Sequence, residues 1–316
     1  MTADHPSLPE APNAARDLAQ VAEICAAGGH HLSLLGRPRT GKAAVAHYLT
    51  GILPDLTASQ ASELTALRTA AGLTDAGPAP LTRPPLITPH HTCTVPAVIG
   101  GGRPIRPGAA ALACHGVLYL PDAPEFSRAV LDTLRQPLEY GHVTVARADG
   151  TVTFPARFIL LIAANPCPCR SAASCDCSPM ASRRYLARLA GPLLDRIDVK
   201  AAIGGAAATA MDKLRTGTTA AAARVLAGRE RAAARLDGTG CQVNALIPAS
   251  DLFTRWRPRP GALAAAEHAA ALSQISDRAV AKITRVAWTI ADLAGNDRPG
   301  RAECEQALSL YLGTAP

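Results

Sequence analysis

The stretch His31-Leu32-Ser33-Leu34-Leu35-Gly36-Arg37-Pro38-Arg39-Thr40-Gly41-Lys42 decides the fold. Its first five residues are a short apolar run. Gly36-x4-Gly41-Lys42 follows, and residues 43–53 carry a helical pattern. Strand, glycine-rich loop and helix in that order describe a phosphate-binding loop. The glycines let backbone N–H groups turn inward on phosphate oxygens, and the helix adds its positive dipole end. Lys42 supplies a point charge for the β- and γ-phosphates. The next position in such a loop is Ser or Thr, whose hydroxyl holds Mg²⁺. Here it is Ala43, which has no oxygen. The competing reading is an ordinary strand-to-helix turn.

Outward from the loop, residues 116–120 (GVLYL) and 158–164 (FILLIAA) are buried-strand patterns, and 199–203 is a candidate fourth strand. Residues 127–139 read as an amphipathic helix. Residues 142–146 and 151–154 flank Ala148-Asp149-Gly150 as a hairpin. Residues 74–108, rich in Pro and Gly, predict long irregular connections. After Gly204-Gly205 the chain turns helical, over 218–236, 263–272, 277–293 and 301–312. The expected architecture is an α/β core with a parallel sheet over 21–203, a short tail over 1–20, and a small all-helical domain over 204–316.

The chain has 316 residues, about two domains' worth, with a net charge of +7. Apolar residues are 48%, which excludes a disordered chain. No run approaches the roughly 18 apolar residues of a membrane span, and the amino terminus lacks a signal pattern. A cytoplasmic protein is expected, and nine cysteines, an odd number, suit a reducing compartment. The basic excess permits DNA contact without requiring it. Only 3% of residues are aromatic, so few rings are available to stack on single-stranded bases.

Cys167-x-Cys169-x5-Cys175-x-Cys177 offers four thiolates in one loop, enough to wrap a structural zinc ion. The C-x-C spacing is tighter than the usual C-x2-C, so free surface thiols and redox chemistry stay open as alternatives. His90-His91 is not read as a metal pair, because adjacent side chains in an extended segment point apart. Arg224, Arg229, Arg231 and Arg235 read as a solvated helix face, with DNA phosphate contact as the minor reading. Trp256 and Trp288 are expected to pack in the helical domain, and Asp195 and Asp198 to be local ion partners around Arg196.

Several stretches in order resemble the magnesium chelatase-like AAA+ ATPases of the ComM/YifB type. They include Ala26-Ala27-Gly28-Gly29-His30, Gly116-Val117-Leu118-Tyr119-Leu120, Pro124-Glu125-Phe126-Ser127-Arg128 and Leu134-Arg135-Gln136-Pro137-Leu138-Glu139. Asn165-Pro166-Cys167-Pro168-Cys169, Gly191-Pro192-Leu193-Leu194-Asp195-Arg196 and Ala287-Trp288-Thr289-Ile290-Ala291-Asp292 continue the match. The resemblance implies a P-loop AAA+ core with a helical lid, six-membered rings of identical or paralogous subunits, and ATP between neighbours. It also implies a link to DNA processing. By position, Gly36, Arg39, Thr40, Gly41, Lys42 and Ala43 would cradle the nucleotide. Asn165 would be the sensor that orients the attacking water. Arg196 would be an arginine finger, Arg278 a second sensor, and 142–154 the hairpin inserted before the sensor strand.

The departures from that family pattern carry as much information. Where the family places Asp-Glu after the GVLYL strand, this chain has Pro121-Asp122. Pro121 offers no side-chain oxygen, so with Ala43 both protein ligands of the metal are replaced. Asp122 is the remaining carboxylate for either the metal or the base position, with Glu125 as the substitute base. Arg39 replaces a loop glycine, which restricts the backbone. The family's amino-terminal domain does not fit in the twenty-odd residues before the core. Phosphoryl transfer depends on metal and positioned charge, so weak or lost ATP hydrolysis is expected, with doubtful Mg²⁺ dependence. The alternative is a non-hydrolysing regulatory or ring subunit that works with an active AAA+ partner. Metal insertion into porphyrin, suggested only by the clade name, ranks last.

Overall fold

The computed structural model describes residues 14–73, 81–148, 150–169, 171, 175–189, 193–203 and 218–313. The expected tail before residue 14, the turn residue Asp149 and the composition break at Gly204-Gly205 lie outside them. Two compact units divide the chain. One comprises residues 36–196, the other residues 1–35 with 197–316.

The strands are β1 (Leu32–Gly36), β2 (Leu86–Ile87), β3 (Gly100–Gly101), β4 (Arg106–Pro107), β5 (Val117–Leu120), β6 (His142–Arg147), β7 (Gly150–Pro155), β8 (Ile159–Ala164) and β9 (Val199–Ile203). Five of them form one sheet in the order β2-β5-β8-β1-β9. The pairs β2–β5 and β5–β8 are parallel, with Val117 opposite Ile159 and Leu120 opposite Ile162. Every residue of β5 and β8 is buried. That is why both read as unbroken apolar runs rather than alternating ones. Each buried Leu or Ile there contributes roughly 1.5–3 kcal/mol of hydrophobic stabilisation. The result is a parallel α/β sheet of AAA+ type accompanied by a helical carboxy-terminal region.

In the unit of residues 36–196, helix α2 (Lys42–Gly51) follows the glycine loop, and α3 (Ala58–Ala70) follows it. Thr57 caps α3 in a reciprocal box. Its hydroxyl accepts from the Gln60 N–H at 3.3 Å, and its own N–H donates to Gln60 Oε1 at 3.0 Å. Gly116 abuts β2 so closely that a Cβ there would lie 2.0 Å from the Pro85 carbonyl oxygen. The helix expected over 127–139 is two helices, Arg128–Thr133 and Arg135–Tyr140. Pro137 lacks the N–H that would bond the Thr133 carbonyl, so the ladder breaks there. The expected hairpin forms as β6–β7, antiparallel, pairing His142 with Pro155 and Arg147 with Gly150. His90 and His91 do not point apart. They lie at a turn, and their rings sit 4.1 Å apart.

In the other unit, α1 (Ala14–Gly28) packs with helices Thr218–Arg235 and Asp277–Ala294. Of the arginines expected to form a solvated face, Arg224 and Arg231 are exposed and Arg229 and Arg235 are partly buried, and all four are paired. Arg224 forks onto both carboxylate oxygens of Glu23 at 2.8 and 2.6 Å, and Arg229 donates twice to the Ala26 carbonyl. Arg231 donates to the Asp292 carbonyl at 2.7 Å, and Arg235 pairs with the Asp292 carboxylate. Their helix packs against α1 and the Asp277–Ala294 helix, whose carboxylates and carbonyls draw the guanidinium groups in. Burial pulls Arg229 down to about 10. Trp288 is buried as expected, and its indole N–H donates to the Trp256 carbonyl at 2.7 Å.

Candidate functional site

β1 ends at Gly36, and the loop turns on two left-handed residues before α2. Gly41, the residue before the helix, has φ 88°, and Arg39 has φ 64°. Arg39 therefore occupies a conformation that glycine enters freely and an L side chain enters at a cost of about 1 kcal/mol. Thr40 is turned back into the loop, where its hydroxyl donates to the Arg37 carbonyl at 2.7 Å. Ala43 is exposed in the first turn of α2.

Lys42 is fully committed within the protein. Its ammonium donates to the carbonyls of Gly36 at 2.7 Å and Arg37 at 2.9 Å, and to Asn165 Oδ1 at 2.9 Å. Three protons meet three acceptors. Asn165, at the end of β8 and only 3% exposed, passes the contact on. Its Nδ2 donates to Asp122 Oδ1 at 2.7 Å. The amide thus bridges cation and carboxylate. Burial lowers Lys42 below its ordinary value, and the Asp122 charge works against that shift. Burial, with Asp122 assisting, pushes the neighbouring Tyr119 up to about 12.

Asp122 reaches Asn165 because the chain after β5 turns sharply. Pro121 follows the strand, and Asp122 takes a left-handed conformation, φ 48° and ψ 46°. The substitute base Glu125 is ion-paired to Arg188 at 3.7 Å. Gly36, Lys42, Asp122 and Asn165 therefore come together. Arg196 pairs with Glu139 at 2.7 Å. Of its expected partners, Asp198 instead faces His30 at 3.6 Å and Lys282 at 3.8 Å. Arg278 belongs to the other unit, exposed in the first turn of the Asp277–Ala294 helix. The sequence reading missed Glu139 as the Arg196 partner, although it closes the Leu-Arg-Gln-Pro-Leu-Glu stretch quoted above.

The four loop cysteines converge, with all four sulfurs within 4.8 Å of one another. Cys167 lies 3.3 Å from Cys169 and 3.2 Å from Cys175, and Cys169 is 3.6 Å from Cys175. Tetrahedral zinc at 2.3 Å from each sulfur sets them roughly 3.8 Å apart, so this donor set fits such an ion after a slight expansion. The Ser171 N–H, with help from neighbouring thiols, lowers Cys169 to about 7. Burial and the hydrogen bonds of Cys175 and Cys169 push Cys167 well up. The Asp122 side fits Mg²⁺ poorly. Mg²⁺ asks for carboxylate and other oxygen ligands, and Asp122 is the one oxygen-bearing side chain among Ala43, Pro121 and Asp122.

The sequence itself is similar to proteins of one family. Residues 13–211 match the family model described as magnesium chelatase, subunit ChlI, and residues 215–311 match its carboxy-terminal companion. An uncharacterized Mycobacterium tuberculosis protein, Rv2897c, is 41% identical over 319 residues, covering 94% of this chain and 62% of its own length. Competence protein ComM of Haemophilus influenzae is 37% identical over 293 residues, covering 90% of this chain and 56% of its own length. The uncharacterized protein YifB of Escherichia coli is 35% identical over 292 residues, 91% of this chain and 57% of its own length. The chain thus spans about six-tenths of the length of these curated relatives. With matches covering nearly all of it in sequence order, the chain belongs to the magnesium chelatase subunit ChlI family.

Proposed function

We propose that this chain is a nucleotide-binding AAA+ ring subunit whose own ATP hydrolysis is weak or absent. One observation carries the reading. Lys42, Asn165 and Asp122 form a closed chain of contacts, while Ala43 and Pro121 stand where side-chain oxygens for a metal are expected. A bound nucleotide would supply the polyphosphate. Lys42 would give up a loop carbonyl to hold it, together with the amino-terminal N–H groups of α2, while Asn165 keeps the ammonium aimed at it. Without two oxygen ligands from the protein, binding should depend little on Mg²⁺. Losing even one electrostatic stabiliser commonly lowers turnover by about 10²–10³.

A fluorescent-nucleotide titration with and without Mg²⁺, paired with phosphate-release measurement, tests this reading. The expected result is binding that survives chelation and falls about tenfold or more in Lys42→Ala, a loss of roughly 1.4 kcal/mol. Phosphate release should stay at background. Turnover at an ordinary AAA+ rate that vanishes in Lys42→Ala would overturn the proposal.

A second reading makes the chain a regulatory subunit that lends Arg196 to an active partner's site. It is favoured by the position of Arg196, which is one-third exposed and steadied by Glu139. DNA processing is proposed on the resemblance and on the competence name of the Haemophilus relative. The arginine-rich helix adds little to it, because its guanidinium groups already pair with Glu23, Ala26 and Asp292, although Arg224 and Arg231 stay exposed. A structural zinc ion in the Cys167–Cys177 loop and a cytoplasmic location complete the proposal. No described helix is long and apolar enough to cross a membrane.

A further inference from the structure

A second convergence of metal-ligating side chains lies away from both the phosphate loop and the cysteine loop. Glu63, from the middle of α3, meets Cys114 and His115, the two residues before Gly116 and β5. One donor atom from each lies within 4.8 Å of the others. His115 Nε2 is 2.5 Å from Glu63 Oε2, and Cys114 Sγ is 3.8 Å from the same oxygen. The sulfur, nitrogen and oxygen therefore face one point from two segments that are 52 residues apart.

The arrangement is held from behind. The Arg157 N–H donates to Cys114 Sγ at 3.4 Å, and the Arg157 carbonyl accepts from the His115 N–H at 2.6 Å. One peptide segment thus fixes both neighbouring ligands. An N–H aimed at a sulfur is the kind of outer contact that supports a metal thiolate. His115 sits at φ 63°, which lets successive side chains converge on Glu63 instead of alternating. Cys114 is fully buried, so its thiol is closed to a macromolecular substrate. The Glu63 side chain is one-third exposed, which leaves an approach from solvent.

We propose that Glu63, Cys114 and His115 bind a borderline divalent transition ion of the Zn²⁺ class, with a water completing four-coordination. The donor set decides the class. Thiolate and imidazole select Zn²⁺ or Co²⁺ over Mg²⁺, which prefers all-oxygen shells. Ligand bonds of about 2.0–2.3 Å in a tetrahedron put the donors roughly 3.3–3.5 Å apart. The ion would displace the proton between His115 and Glu63 and the Cys114 thiol proton, both released to solvent, and open the His115–Glu63 contact by under an ångström. Bound there, it pins α3 to the lead-in of β5, the strand that runs into Asp122. This site is independent of the nucleotide reading.

Metal-free full-length chain titrated with Co²⁺ tests the proposal, because tetrahedral Co²⁺ and its thiolate charge-transfer band are both visible. Variants with all four loop cysteines changed to Ser, with Glu63→Gln, and with Cys114→Ser separate the two sites. The loop variant is expected to keep one Co²⁺ per chain with a single-thiolate band. Glu63→Gln and Cys114→Ser should each lose one equivalent relative to wild type. Glu63→Gln is an isosteric change at a side chain one-third exposed, and circular dichroism verifies that its fold is intact. Equal Co²⁺ uptake by wild type, Glu63→Gln and Cys114→Ser would overturn the proposal, as would a folded loop variant that takes up no metal.

Discussion

Asn165 earns its position by what lies on either side of it. It accepts from a half-buried ammonium and donates to a carboxylate, while itself almost wholly buried. Hydrogen bonds to charged groups contribute about 1.5–3 kcal/mol, and an unsatisfied partner left behind adds its desolvation cost. Asn165→Ala should therefore lower stability by about 2–3 kcal/mol, read as a fall in the urea midpoint. A midpoint within error of wild type would show that the bridge carries no energy. At this scale the sequence makes the loop legible, since Gly36, Gly41 and Lys42 form a contiguous pattern. It also makes the strain at Arg39 legible, because the replaced glycine marks where φ turns positive. Contacts assembled across long separations are not legible. Nothing local in Glu63, or in Cys114-His115, announces that they meet.

At the scale of elements, contiguous burial explains which features can be read. β5 and β8 are buried on both faces, and the β6–β7 hairpin announces itself through its glycine turn. Helix α3 was not anticipated. Its buried side chains are Ala61, Leu64 and Leu67, a narrow stripe diluted by small and polar residues. The signal that would have found it is Thr57-x-x-Gln60, the capping-box pattern ahead of the stripe. Two of the orphan donors at that end are satisfied by this box, so Thr57→Ala should cost about 1 kcal/mol. Thermal unfolding of the variant measures it. Because α3 carries Glu63, the same variant should also weaken Co²⁺ uptake at the Glu63 site, and unchanged thermal stability would show that the cap is idle. Pro137 gives the opposite lesson. The amphipathic pattern runs through it, but the missing N–H divides the helix.

At the scale of the whole molecule, the chain returns on itself. Residues 1–35 share a compact unit with 197–316, and the composition break at Gly204-Gly205 falls a few residues past that return without marking it. Paired polar groups mark it, above all Asp198. Its carboxylate oxygens face His30 at 3.6 Å and Lys282 at 3.8 Å, and one accepts from the His31 N–H at 3.3 Å. Burial alone would raise this carboxyl. The nearby His30, with His31 and Lys282, overcomes it and holds Asp198 at about 2, against an ordinary 3.8. A carboxyl depressed on folding stabilises the native state above its unfolded value, and that stabilisation is lost as pH falls through the folded one. The shift corresponds to about 2 kcal/mol, fully present above about pH 4 and fading between about pH 4 and 2. Asp198→Asn cannot titrate, so the gap between wild type and variant in urea unfolding should be about 2 kcal/mol at neutral pH and shrink across that window. A gap that stays constant from neutral pH down to about pH 2.5 would mean that the charge on Asp198 is not what joins the two ends of the chain.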